Sequence, residues 1–120
     1  MARVLAVDDS VSLRRLVAAT LSGAGHQVTE CANGAEALDA AKKIQFNLVI
    51  SDLNMPIMDG LTFIKQMRVI GTYKFTPILV LTTEMDPDKK KAAKDAGATG
   101  WIVKPFDPEQ LLATIRKVLG

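Results

Sequence analysis

The stretch LVISDLNMPIMDG, residues 48–60, decides the fold. Its first three residues, Leu48 to Ile50, are apolar without polar alternation, which is typical of a strand buried on both faces. Strands of this kind occur in parallel sheets that carry helices on both sides. The run ends at Ser51 and Asp52, and a carboxylate beside a buried strand is costly to desolvate unless a partner compensates it. Asp52 therefore calls for a functional explanation.

Outward from this strand, short apolar runs alternate with helical patterns along the whole chain. The predicted strands lie near residues 4–7, 27–31, 48–50, 78–81 and 101–103. Each is followed by a predicted helix, and these helices begin near Ser10, Asn33, Gly60, Asp86 and Asp107. Five strand–helix units predict an α/β protein with a five-stranded, doubly wound parallel sheet and helices on both faces. A closed barrel would need eight such units.

The helices are predicted to bury apolar stripes and to end at recognisable signals. Asn33 with Glu36 resembles a capping box. The pairs Asp86-Pro87 and Asp107-Pro108 resemble helix starts, and Gly97 resembles a helix end. The predicted stripes are Leu13, Leu16, Val17 and Leu21 in the first helix, Leu38, Ala41 and Ile44 in the second, Leu61, Ile64 and Met67 in the third, and Leu111, Leu112, Ile115, Val118 and Leu119 in the last.

Composition limits the class of protein. The chain has 120 residues, of which 48% are hydrophobic and 23% charged, and its net charge is +2, so we expect one soluble domain over residues 1–120 without a broad nucleic-acid footprint. The basic run Lys89–Lys91 with Lys94 is interpreted as a solvated helix face. Cys31 is the only cysteine, which excludes an internal disulfide and fits a reducing compartment. No apolar run resembles a signal peptide or a membrane span, so we expect a cytoplasmic protein.

The residues that follow the predicted strands carry chemistry. The carboxyl ends of parallel strands lie at one edge of the sheet, where ligands bind. That edge would hold three carboxylates, a hydroxyl and an ammonium: Asp8, Asp9, Asp52, Thr82 and Lys104. Each alone has a structural explanation, such as a helix cap for Asp9 or Ser10 and an ion pair for Lys104. Together, three carboxylates repel one another, and one lysine does not balance them.

A hard divalent cation with oxygen ligands would supply the missing charge. Mg²⁺ takes one or two carboxylates, keeps several waters and leaves positions for phosphate oxygens. A carboxylate beside it can attack phosphorus and give an aspartyl phosphate. Thr82 and Lys104 would then donate to the phosphoryl oxygens. The residues themselves therefore predict that Asp52 is phosphorylated.

The motifs together resemble a response-regulator receiver domain over the whole chain, in its free-standing, CheY-like chemotaxis form. They are Asp8-Asp9, DLNMPIMDG from Asp52, LTTE at 81–84 and VKPF at 103–106. The resemblance implies two-component signalling and the flavodoxin-like strand order 2-1-3-4-5 of the CheY fold. It also implies that the protein is not an enzyme beyond self-phosphorylation and autodephosphorylation at Asp52.

The resemblance assigns roles around the acidic cluster. Asp52 matches the phosphoacceptor. Asp9, Asp52 and the backbone carbonyl of Asn54 match the direct Mg²⁺ ligands, and Asp8 matches a ligand that acts through water. Asn54 and Glu84 occupy positions that tune the lifetime of the phosphoryl group.

The resemblance also assigns the switch. Thr82 matches the switch hydroxyl, and Lys104 matches the lysine that pairs with the phosphate, with a cis peptide bond before Pro105. Trp101 occupies the position of the switch aromatic, which is usually Tyr or Phe. Its indole is bulkier, and two interpretations stay open: the ring swings inward on activation, or it stays half-packed against the fourth helix in both states.

The implied partners are proteins. The phosphoryl donor would be the phosphohistidine of a histidine kinase, and the target a protein such as a flagellar motor switch or a phosphorelay protein. The predicted docking surface carries Lys89, Lys90, Lys91, Lys94 and Trp101, which favours an acidic, amphipathic partner. We expect a monomer with no nucleic-acid binding and no membrane insertion, and no phosphotransfer role for His26.

Other functions make different demands on these residues. A receiver can also act as a phosphorelay intermediate, as a phosphate sink, or as a scaffold that is never phosphorylated. A haloacid-dehalogenase-type phosphotransferase would need a second aspartate two residues after the nucleophile, where this chain has Asn54. A flavodoxin-like cofactor binder would need small hydroxylated residues in the first loop, where Asp8 and Asp9 would repel a phosphate.

Overall fold

A computed structural model, which describes residues 2–120, confirms the predicted α/β fold. Five strands alternate with five helices along the chain. The elements are β1 (Arg3–Val7), α1 (Val11–Gly23), β2 (Gln27–Cys31), α2 (Gly34–Lys43), β3 (Leu48–Ser51), α3 (Gly60–Val69), β4 (Ile78–Thr82), α4 (Pro87–Ala96), β5 (Gly100–Val103) and α5 (Pro108–Leu119), with a 3-10 turn at Gly71–Tyr73 between α3 and β4.

The sheet is parallel and has the order β2-β1-β3-β4-β5, as expected. All residues of β3 and β4 are buried, which confirms that the run at 48–50 belongs to a strand covered on both faces. The order of the strands reverses between β1 and β3. In an open α/β sheet this reversal leaves a crevice at the carboxyl ends of the two strands, where ligands bind.

Two apolar cores cover the two faces of the sheet. Alternate residues of each strand point to opposite faces, so Leu5 and Val49 pack on one side and Ala6 and Ile50 on the other. The first core is covered by α2, α3 and α4, and the second by α1 and α5. Within residues 2–120, no helix combines the length and the apolar character needed to cross a bilayer.

Four predicted stripe residues lie outside these cores. Leu13, near the start of α1, is partly buried but belongs to neither core. Leu16 is 50% exposed, because α1 turns its buried face towards Val17 and Leu21. Ile44 is 41% exposed, since α2 ends at Lys43 and Ile44 already has extended backbone. Leu119 is 36% exposed at the end of α5. The stripe predictions were therefore wrong at the helix ends and at the edge of the α1 stripe.

The predicted helix caps are confirmed. Asn33 accepts a hydrogen bond from the backbone N–H of Glu36, and the Glu36 carboxylate accepts one from the N–H of Ala32. Gly97 ends α4 with a φ of 117°, a left-handed conformation that favours glycine. The N-cap residues of the five helices are Ser10, Asn33, Asp59, Asp86 and Asp107. Because Ser10 caps α1, Asp9 is not needed for that role.

Arg68 makes a connection that the sequence patterns do not reveal. Its guanidinium donates hydrogen bonds to the backbone oxygens of Gly97 (2.7 Å), Tyr73 (2.7 Å) and Thr76 (2.6 Å). Desolvation by burial lowers the pKa of Arg68 from its usual value. The side chain therefore ties α3 and the segment after it to the end of α4, using carbonyl groups in place of a carboxylate.

We expect the substitution Arg68→Lys to lower the free energy of unfolding by about 2 kcal/mol, because an ammonium cannot reach three separated carbonyls in the way a planar guanidinium does. Urea unfolding followed by circular dichroism measures this change. The reverse exchange at the exposed Lys65 of the same helix, Lys65→Arg, is the control and should change stability by less than about 0.5 kcal/mol. Equal effects of the two substitutions would contradict the structural role given to Arg68.

Candidate functional site

The backbone of the sheet places two aspartates at the crevice between β1 and β3. The N–H of Asp8 donates to the carbonyl of Cys31, and the N–H of Asp52 donates to the carbonyl of Val7. Each aspartate thus continues the hydrogen bonding of the sheet by one residue. Asp8 is 5% exposed and Asp52 is 8% exposed, so both carboxylates are buried and need partners.

Lys104 is that partner. Its backbone N–H donates to the carbonyl of Thr82, which continues the pairing of β5 with β4. Its Nζ lies 2.6 Å from Oδ2 of Asp8 and 3.0 Å from Oδ2 of Asp52. The peptide bond between Lys104 and Pro105 is cis, as the resemblance implied. One ammonium therefore bridges two carboxylates that follow two different strands.

The environment of Lys104 keeps it charged. Burial by itself lowers the pKa of Lys104, but the hydrogen bonds to Asp8 and Asp52, with the charges of these two groups, outweigh burial and raise it above the ordinary value. The stabilisation from this shift is fully present at neutral pH. It is lost only when the pH rises beyond the pKa of an ordinary lysine, about 10.4, and through the raised value of the folded protein.

The second oxygen of each buried carboxylate is held by a backbone N–H. Oδ1 of Asp52 accepts from the N–H of Leu53 at 2.7 Å, and Oδ1 of Asp8 accepts from the N–H of Ser10 at 2.9 Å. Ser10 thus caps α1 with its side chain and orients Asp8 with its backbone. Both carboxylates are therefore fixed in orientation before any ligand binds.

A third carboxylate completes an acidic cluster. Asp9 is exposed, and one carboxylate oxygen each of Asp8, Asp9 and Asp52 lies within 4.8 Å of the others. Opposite ligands of an octahedral Mg²⁺ are separated by about 4.2 Å, so a small adjustment would bring these oxygens around one ion. Lys104 supplies one positive charge against three negative ones. The donor set and its excess negative charge fit a hard divalent cation.

Thr82 and Glu84 lie at the end of the neighbouring strand. Thr82 is fully buried, and its Oγ1 accepts a hydrogen bond from the N–H of Glu84 at 3.2 Å. Glu84 is partly buried, whereas Asn54, in the loop after Asp52, is exposed. The hydroxyl hydrogen of Thr82 is not engaged in this bond and stays free to donate.

Trp101 lies away from the acidic cluster, in a groove beside α4. The ring is half-buried and packs against the first core. The groove has a volume of about 470 Å³, and its walls include Lys90, Lys91 and Lys94. Lys89 is exposed and does not line it.

His26 lies away from the acidic cluster, whereas Gly60 lies beside it. His26 lies at the opposite end of the sheet, where its Nδ1 accepts from the N–H of Ala2. Gly60, predicted only as the start of a helix, lies directly against the backbone after β3. A Cβ at Gly60 would overlap the carbonyl oxygen of Asp52 and would lie 2.7 Å from the Cα of Leu53. Its position one residue after the cap Asp59, in the quoted stretch, was the available signal.

Comparison with known proteins identifies a family for this arrangement. Residues 4–116 match the family model described as the response regulator receiver domain. A chemotaxis protein CheY homolog of Campylobacter jejuni is 39% identical over 98% of this chain and 92% of its own length. CheY1 of Helicobacter pylori is 39% identical over 98% of this chain and 97% of its own length. The crystallised chemotaxis protein CheY4 of Vibrio cholerae is 56% identical, with a TM-score of 0.95 over 98% of both chains.

We expect Gly60→Ala to lower the free energy of unfolding by about 3 kcal/mol, because the new methyl group meets backbone atoms that cannot turn away. Thermal or urea unfolding measures the change. The matched control is Gly23→Ala, where no atom lies within 4 Å of the added Cβ and the change should be neutral or stabilising by up to about 1 kcal/mol. A Gly60→Ala protein as stable as the wild type would show that the helix does not approach Asp52 this closely.

Proposed function

This chain belongs to the response regulator receiver domain family, and from that premise we propose that Asp52 accepts a phosphoryl group from the phosphohistidine of a histidine kinase. The receiver domains of CheY type are regulators, not enzymes that turn over outside substrates. The observation that carries the proposal is the bridge of Lys104 between Asp8 and Asp52 beside the exposed Asp9. This arrangement supports a site in which the negatively charged carboxylate of Asp52 is held in one orientation.

Mg²⁺ is the proposed cofactor. Asp9, Asp52 and the backbone carbonyl of Asn54 would hold the ion directly, and Asp8 would hold it through water. When bound, the ion would neutralise the excess negative charge of the cluster and coordinate oxygens of the incoming phosphoryl group. The support for this set is chemical: every donor is a hard oxygen, and the carboxylates lie close enough to share one ion.

The residues of the chain have defined tasks in the proposed transfer. A carboxylate oxygen of Asp52 attacks phosphorus, the bond from phosphorus to the histidine nitrogen breaks, and its electron pair stays on that nitrogen. The ammonium of Lys104 offsets the charge of the transferred oxygens. The hydroxyl of Thr82, whose hydrogen is free, donates to one of them. Asn54 and Glu84 border the site and would tune how soon water removes the group.

The proposed switch starts at Thr82. If its hydroxyl turns towards a phosphoryl group on Asp52, its oxygen no longer accepts from the N–H of Glu84, which lies in the loop leading to α4. Movement of this loop would change the groove in which Trp101 packs. Phosphorylation would act by biasing an equilibrium between two states of this region, as any ligand does.

The proposed output is protein docking at the α4 groove. Its apolar walls with a rim of lysines fit an acidic, amphipathic segment of a target such as a flagellar motor switch or a phosphorelay protein. The relatives named as chemotaxis proteins support a role of the same kind for this chain. We expect the chain to act as a monomer. Lys90, Lys91 and Lys94 would contribute most to docking, and Lys89 less, because it lies outside the groove.

Phosphorylation is tested with acetyl phosphate and Mg²⁺, followed by intact mass spectrometry. The wild type should gain the mass of one phosphoryl group, and chelation of Mg²⁺ should abolish the gain. Asp52→Asn should show none, because an amide is a poor nucleophile. Asp59→Asn, a neighbouring exposed aspartate replaced by an equally good helix cap, is the matched control and should behave as the wild type.

Trp101 gives a second readout of the same test. Addition of Mg²⁺ and then of beryllofluoride, a phosphoryl mimic, should change its fluorescence in a saturable way in the wild type and leave Asp52→Asn unchanged. No phosphoryl gain in the wild type, or an undiminished gain in Asp52→Asn, would refute Asp52 as the acceptor.

Docking is tested with a synthetic acidic amphipathic peptide and the beryllofluoride-loaded protein, with affinity measured by calorimetry. The triple variant Lys90→Glu/Lys91→Glu/Lys94→Glu should weaken binding at least about 30-fold, since like charges would meet across the groove. Lys42→Glu/Lys43→Glu/Lys117→Glu changes net charge equally at exposed positions outside the groove and should bind as the wild type apart from a small salt-dependent loss. Equal losses in both variants would contradict docking in the groove.

A further inference from the structure

We propose that the end of the molecule opposite Asp52 is a peripheral contact surface for an anionic lipid bilayer. This basic end is formed by the amino ends of the strands and the last turns of the helices. It carries six exposed cationic side chains: Arg3, Lys42, Lys43, Lys74, Arg116 and Lys117. The proposal is independent of the phosphoacceptor function, because it uses none of the residues of that site.

The acidic residues of this chain lie mostly at one of its two ends, whereas cationic residues lie at both; Lys89, Lys90 and Lys91, for example, belong to the first half of α4. The segments at the basic end contain no Asp or Glu; they are residues 22–27, 42–47, 69–77 and 116–120. Except for Asp39 and Asp95, every acidic residue lies near the carboxyl ends of the strands or in the first turn of the following helix. Asp95, in the last turn of α4, is next to Lys94. The molecule measures about 30 Å in each direction (32 × 31 × 28 Å), several times the Debye length of about 8 Å, so the acidic end would not repel a surface bound at the other.

Apolar side chains protrude from the basic end. Val69, the last residue of α3, is 80% exposed, and Phe75, between α3 and β4, is 87% exposed. Ile44 and Leu119 are also exposed. The ammonium of Lys74 lies 5.6 Å from the centre of the Phe75 ring, which places a cation directly beside an exposed aromatic ring.

Three of these apolar side chains, Phe75, Leu119 and Ile44, line two grooves that share Phe46. One shallow groove is lined by Phe46, Phe75 and Leu119, and an adjacent groove is lined by Arg3, Ile44 and the same Phe46. An aromatic ring and aliphatic groups surrounded by lysine and arginine suit the boundary between lipid headgroups and acyl chains, where both kinds of side chain find their preferred environment.

Helix-end preferences explain only part of this pattern. Cations in the last turns of α2 and α5, such as Lys43 and Lys117, complement the helix dipoles. The helix dipoles do not explain Lys74, which lies between a 3-10 turn and β4. They do not explain Arg3 at the start of β1 either. It also gives no reason for an exposed phenylalanine, whose ring would be more favourably placed out of water.

The apolar residues favour a bilayer over a nucleic acid or an acidic protein. Polyanion binding requires cations but not protruding aliphatic groups. A protein partner would need an apolar pocket matched to Phe75 and Val69, whereas the boundary of a bilayer accepts protruding apolar side chains of any shape. Contact through the basic end would leave Asp52 facing away from the bilayer, so phosphorylation and binding to lipid should not compete.

The test is co-sedimentation of the full chain with vesicles at an ionic strength of about 0.15 M, where the Debye length is about 8 Å. Vesicles of phosphatidylglycerol and phosphatidylcholine should bind the protein, phosphatidylcholine alone should not, and 0.5 M NaCl should abolish binding. Lys43→Glu/Lys74→Glu/Lys117→Glu should lower the partition coefficient at least about 100-fold. Phe75→Ser should lower it about tenfold without any change of charge.

A matched control and three contrary outcomes make the test decisive. Lys89→Glu/Lys90→Glu/Lys91→Glu changes net charge equally on α4 and should retain binding within about fivefold. An equal loss of vesicle binding in both triple variants would show that only the net charge matters, and this result would overturn the proposal. Failure to bind phosphatidylglycerol vesicles would also overturn it. Binding of duplex DNA or an acidic peptide through the same lysines, instead of vesicles, would overturn it as well. Circular dichroism checks that each variant is folded. Labelling with acetyl phosphate checks that Asp52 still reacts.

Discussion

The salt bridge that Lys104 makes with both Asp8 and Asp52 is the interaction on which the site depends. It joins residues that follow β1, β3 and β5, and it compensates two carboxylates that would otherwise be buried without a counter-charge. Loss of one partner from a buried ion pair generally costs about 3–5 kcal/mol, because the remaining charge stays desolvated. A single ammonium therefore holds the carboxyl ends of separate strands in one geometry.

The same cluster keeps an excess of negative charge. Asp9 adds a third carboxylate within 4.8 Å of the other two, and within residues 2–120 Lys104 is the only cation paired with them. Repulsion of this kind lowers stability, and proteins commonly accept such a cost at functional sites. Gly60 shows a related constraint, because the start of α3 approaches the backbone of Asp52 so closely that no side chain fits between them. Ile57, in the intervening loop, has a φ of 70°, which is strained for a β-branched residue.

The polarity of the fold connects the acidic site with the opposite end. In a doubly wound sheet every strand points the same way, so helix N-termini gather at the edge that holds the site and helix C-termini gather at the other. Acidic caps such as Asp59 and Asp86 and basic last turns such as Lys42-Lys43 follow from the helix dipoles. This arrangement concentrates the acidic residues near the site and leaves cations in excess at the opposite end, in a chain whose net charge is only +2.

Local patterns by themselves determined the element types and the caps, because these depend on neighbours in sequence. The run at 48–50 and the cap at Asn33 are examples. The alternation of strands and helices along the whole chain then determined the parallel sheet and the residues that gather at one edge. Only the tertiary structure decided that Lys104 bridges Asp8, 96 positions away, that Arg68 binds the carbonyl of Gly97, and that Leu16 is exposed. These depend on the distance and orientation of elements far apart in the chain, and no short stretch of sequence contains that information.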